Sequence, residues 1–152
     1  MGTWHTGPFD NDSAADFAGD VRDCTGPAAR GGLLTAALRG GQEYLRTNRA
    51  LTEEYSWGYE LEHAIAAAAF VADEYTGEKR FTDCSYARGV GDDMELLPYV
   101  EFLPPSAILL IEARWFVKDM LTAMRFSGIS EEWVEPVEEI GNVLNKKKVR
   151  DD

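Results

Sequence analysis

At 152 residues, 45% of them hydrophobic and 11% aromatic, the chain is long and apolar enough to close one core without a disulfide or a metal, which excludes a disordered chain. Its 27 acidic against 15 basic residues give a formal charge of -12, which repels nucleic acid and anionic membrane and attracts a basic protein at long range. No apolar run approaches the ~18 residues of a bilayer span. No basic, apolar leader opens the chain. Cys24 and Cys84 lack zinc or redox spacing. The expectation is a cytoplasmic protein with reduced thiols and with no cofactor, metal, nucleic-acid or membrane partner.

In the opening stretch, Gly7-Pro8 forces a turn after Trp4 and before Phe9. Met1-Gly2 with Thr6 also satisfies a loose myristoylation pattern, but such short matches arise by chance and Trp4 has a simpler use in a core. Asp10, Asn11, Asp12 and Ser13 are all good N-caps, and the acids favour the positive end of a helix dipole. A helix over 13–23 follows, with Ala14, Phe17 and Val21 as its buried points and Phe9 with Phe17 as a hydrophobic staple. The same acidic cluster resembles a calcium loop in composition. Ala15 and Val21 stand where an EF-hand needs Gly and Glu, so capping is the better account.

Thr25 is the predicted cap of a second helix over 28–45, which places Leu33, Leu34, Ala37 and Leu38 on one side and makes Gly40-Gly41 a break or a close approach. Tyr55, Trp57 and Tyr59 alternate, but a lone strand has nothing to pair with. The clearest helix spans 60–75: Leu61, Ile65, Ala68, Ala72 and Tyr75 repeat at helical steps, Ala66–Ala69 permit close neighbours, and Gly77 ends it. It should be central. Glu60 and His63 stand one turn apart, as in half of a di-iron carboxylate site, yet His5 supplies no second half. His63 therefore reads as a surface or hydrogen-bonded histidine.

Residues 77–104 are the least regular, and long loops in compact domains are often functional. Gly89 and Gly91 make no phosphate loop, and a short helix is predicted over 92–99. The strongest amphipathic helix covers 105–125, with Pro105 in its first turn. Leu109, Leu110, Ala113, Phe116, Val117, Met120, Leu121 and Met124 fill one half, while Ile108, Ile111 and Trp115 intrude into the polar half among Glu112, Lys118 and Asp119. An aromatic anchor with aliphatic neighbours and a charged rim has the composition of a binding hot spot. Burial of the whole helix by other segments is the competing account. Ser130 caps a last helix whose stripe is Trp133, Val137, Ile140 and Leu144, with Pro136 inside it; residues 146–152 form a charged tail.

The opening Met1-Gly2-Thr3-Trp4, with Gly7-Pro8-Phe9-Asp10-Asn11-Asp12 and Ala14-Ala15-Asp16-Phe17, resembles the N-terminal signature of the small bacterial proteins grouped as domain of unknown function 4259. Ala69-Phe70-Val71-Ala72 and Glu132-Trp133 are similar to later family segments. His5 departs from an expected Gly and Ala69 from an often acidic position; the helix from 105 lacks the usual Ser-Glu-Leu with its following Leu-Trp. The resemblance implies a bacterial-type origin, a mainly helical fold and no catalytic residue.

These readings predict an all-α domain over 1–145, of five to six helices, with the N-terminal aromatics packed on the bundle. The leading functional expectation is an acidic intracellular protein-binding protein without catalytic activity, immunity-like or inhibitory toward a basic partner. Its contact residues would be Ile108, Ile111, Glu112, Trp115, Lys118 and Asp119. The alternatives are a small hydrolase-type enzyme centred on His63 with Glu60 or Glu62, and Asp73 nearby, and a structural homo-oligomer that meets a second copy through the same patch.

Overall fold

The computed structural model describes residues 7–9, 11–48, 50–51, 58–82 and 105–146, and among these it contains five α-helices and no strand. They are α1 (Asp12–Arg22), α2 (Pro27–Thr47), α3 (Tyr59–Thr76), α4 (Ala107–Phe126) and α5 (Glu131–Leu144). Trp4, Tyr55, Trp57, Cys84, the predicted helix over 92–99 and the tail from 147 lie outside the described residues.

α3 is the axis of the fold, in contact with each of the other four helices. Its thirteen buried residues, 61–62 and 64–74, leave no solvent face through its middle. Ala66 to Ala69 are wholly buried, and their single methyl groups let neighbouring backbones come near. The closest approach involves α2: a Cβ at Gly41 would lie 2.6 Å from Cε1 of Phe116 and would overlap the Cβ of Ala64. Gly41 is thus where α2, α3 and α4 meet, and α2 runs through Gly40-Gly41 without a break. Gly40 has open space beside it.

The helix ends follow from local chemistry. Asn11 caps α1, its Oδ1 accepting the Ala14 N–H at 2.7 Å. Ser106 caps α4, its Oγ accepting the Leu109 N–H at 3.1 Å, so Pro105 precedes the cap and is not in the first turn. α2 is capped by Gly26 at φ 104°, ahead of Pro27, and not by Thr25; this extended turn has a positive φ, which Gly tolerates and Thr does not. Gly77 closes α3 in the left-handed conformation. α5 continues through Pro136, and Val134, Ile140 and Leu144 are its fully buried aliphatics, with Trp133 half-buried beside the core.

Phe9 is buried and meets Phe70 of α3 edge-to-face at 5.3 Å. Of the aromatics before α1, Phe9 therefore packs onto the central helix. Phe17 instead stacks on His63, with ring centroids 5.1 Å apart.

Candidate docking face

Two polar constructions lie inside the bundle and both serve the fold. The Asp73 carboxylate, wholly buried, accepts the backbone N–H groups of Arg80, Phe81 and Thr82 and the hydroxyl of Thr82. It turns the chain back against the end of α3. Burial holds the Asp73 carboxyl above its ordinary range despite those donors. Next to it, Glu74 accepts from Nε of Arg30 at 2.6 Å, both residues are buried, and the guanidinium lies 5.7 Å from the centre of the Phe70 ring. Burial raises Glu74 as well, against the pull of Arg30. This pair clamps the start of α2 to the end of α3.

His63 sits in the α1–α3 seam. Besides Phe17 it touches Tyr59 edge-on at 5.5 Å. Burial lowers its pKa below the usual histidine value, opposed by Asp20, the Ser13 carbonyl, Asp16 and Glu60. Asp73 is ten residues further along the same helix, ~15 Å away at 1.5 Å per residue, with its carboxylate engaged by the 80–82 backbone. Glu62 points into the interior. The fold does not bring His63 and Asp73 into one constellation. Among the described residues no group of three or more His, Cys, Asp and Glu side chains could hold a metal ion.

The outer side of α4 is different in kind. Its inner side buries Leu109, Ala113, Phe116, Val117, Met120 and Met124. Outside, Ile108 is 65% exposed, Ile111 41%, Trp115 62% and Phe126 77%. At ~100° per residue, Ile108, Trp115 and Phe126 lie within ~20° of one line along the helix, with Ile111 beside it. Five large hydrophobic residues are exposed among the described residues, and four belong to this one ridge. Scattered exposed apolars are ordinary, whereas a contiguous set marks a contact surface.

The edges of the ridge are charged and mostly self-paired. Glu112 receives Arg39 of α2 in a forked contact, with Nε at 2.9 Å and Nη2 at 2.7 Å from Oε1. Arg46 pairs with Glu43 at 3.0 Å, and Arg125 with Glu138 of α5. Lys118 and Asp119 are exposed side by side on the ridge. Near its C-terminal end a groove of about 480 Å³ opens between α2 and α4. Leu45, Ala123 and Phe126 wall it, and Gln42, Arg46, Asp119 and Thr122 border it.

All six predicted contact residues therefore lie on the exposed or half-exposed side of α4, although Glu112 is occupied by Arg39. Phe126 was not expected, because the predicted helix stopped at Arg125; its place eleven residues after Trp115 was the signal available. The part played by Arg39, Gln42 and Arg46 had no sequence signal, since it depends on which side of α2 faces α4.

Fold and surface together define an all-α protein, with five helices among the described residues, that presents an apolar ridge on one helix and an adjoining groove between that helix and α2. The chain belongs to the family described as Domain of unknown function (DUF4259), whose model matches residues 2–140. No curated protein and no solved structure matches it. No helix among the described residues is long and apolar enough to cross a membrane.

Proposed function

We propose that the chain is an intracellular protein-binding protein without catalytic activity, and that α4 presents its docking face. The observation that carries this reading is the ridge of Ile108, Ile111, Trp115 and Phe126, four of the five large hydrophobic side chains exposed among the described residues. Its composition suits docking. Trp is the residue most enriched in interface hot spots, and it is flanked here by aliphatics and bordered by charges already oriented by intramolecular pairs.

Charge supports a basic partner at long range. α5 carries Glu131, Glu132, Glu135, Glu138 and Glu139 with no basic residue before Lys146 and packs beside α4. A basic protein drawn by that field would arrive next to the ridge, and its association would slow as salt is raised. An immunity-like or inhibitory role would be one use of such binding.

The test is affinity capture from the native host with the wild-type chain and with Trp115→Ala. Because Trp115 is exposed, its truncation leaves the core intact, and a hot-spot role predicts a loss of about 2 kcal/mol or more in affinity. Equal recovery of the same protein by both chains would refute the reading.

A further inference from the structure

We infer that the ridge of α4 also meets a second copy of this chain, with Trp115 of each copy seated in the α2–α4 groove of the other. The inference rests on the docking reading above and names one occupant of that face. Its first support is that the surface carries both halves of such a contact. Trp115 projects as a knob, 62% exposed. The groove walled by Leu45, Ala123 and Phe126 holds about 480 Å³, within the size range of pockets that take small aromatic groups. Knob and groove lie about seven residues apart along α4, or ~10 Å. A twofold axis between them makes the contact occur twice, as a self-complementary interface requires. Asp119 at the groove edge is an acceptor for an incoming indole N–H.

The second support is charge. Each chain carries a formal -12, so two copies repel over most orientations. The side chains that edge the ridge add little to that repulsion: Arg39, Arg46, Lys118 and Arg125 stand against Glu43, Glu112, Asp119 and Glu138, four of each sign, six of these eight paired within the chain. α1, by contrast, offers Asp12, Asp16 and Asp20 outward.

The area bounds the affinity. α4 is ~30 Å long, and with the edge of α2 the face is roughly 20 Å wide, or roughly 600 Å² on each copy, somewhat below the ~800 Å² of a stable standard interface. The dimer is accordingly reversible, with a dissociation constant in the micromolar range, and a tighter heterologous partner displaces it.

Sedimentation velocity over about 1 to 200 µM chain, at about 50 and about 500 mM salt, tests this. The expected result is a monomer–dimer equilibrium that tightens at high salt, because screening removes the repulsion between like-charged copies. Complexes with a basic protein loosen under the same change. Trp115→Ala should weaken the dimer about 30-fold or more, and Trp115→Glu and Phe126→Glu should each leave a monomer whose circular dichroism matches wild type. A chain that is monomeric throughout, a dimer untouched by Trp115→Glu, or a dimer that disperses with salt overturns the inference. If the chain is monomeric while Trp115→Glu still abolishes capture of another protein, only self-association fails. If neither property responds to Trp115→Glu, the docking reading fails with it.

Discussion

Adding one methyl group at Gly40 or at Gly41 separates helix propensity from packing. Either Gly→Ala change in the middle of α2 removes the cost of a helical glycine, about 0.5 to 1 kcal/mol. At Gly40 nothing lies within 4 Å of the new Cβ, so the full gain should appear, worth a rise of about 1 to 4 °C in Tm for a chain of this size. At Gly41 the new atom meets Ala64 and stands 2.6 Å from Cε1 and 3.1 Å from Cδ1 of Phe116, against the ~3.5–4.0 Å at which carbon atoms rest. Phe116 is itself wholly buried and cannot swing away. Overpacking of this kind costs about 1 to 3 kcal/mol, occasionally more, leaving Gly41→Ala a net loss of about 0 to 2.5 kcal/mol after the propensity gain. Urea unfolding followed by circular dichroism measures both variants against wild type. If Gly41→Ala were as stable as Gly40→Ala, the three-helix contact at Gly41 would be wrong, and with it the placement of α4 against α2 that forms the groove.

Asp73→Ala would strip the acceptor from the N–H groups of Arg80, Phe81 and Thr82; a loss of about 3 kcal/mol in urea unfolding, with faster amide exchange at 80–82, is expected, and unchanged exchange there would contradict it. His63 gives a pH effect of definite sign. Its folded pKa lies below the ordinary 6.5, so the unfolded chain takes up the proton first as pH falls, and stability present above pH 6.5 is lost progressively below it. The difference in unfolding free energy between wild type and His63→Gln should shrink from pH 7.5 to pH 5.5, and a difference that grows would show the sign to be wrong. Asp73 and Glu74, both raised above their ordinary values, contribute the opposite slope at lower pH, and that slope is common to both chains.

The parts of the fold legible in the sequence are those set by local rules. The alanine run of α3, the cap at Asn11 and the left-handed Gly77 each act through residues a few positions away. The exposed ridge was legible too, because Ile108, Ile111 and Trp115 break the amphipathic pattern of their own helix. What was hidden depends on contacts across the chain. Arg30 and Glu74 are 44 residues apart, and their pairing gives no periodicity to read. Asp73 looked like a spare acid beside a histidine, and only the return of residues 80–82 shows its carboxylate holding a turn. The groove is lined by residues of both α2 and α4, so no single-helix pattern contains it.

Photo-cross-linking from position 115 tests the docking face most directly. A chain carrying a photoreactive phenylalanine analogue in place of Trp115, irradiated in its native host, should yield adducts to another polypeptide chain, with the same group at exposed Asp12 on α1 as the comparison. Adducts from 115 that are absent from 12, and that disappear when Phe126→Glu is added, are the predicted result. No adduct from position 115, or equal adducts from both positions, would contradict the assignment of α4 as the surface through which this protein acts.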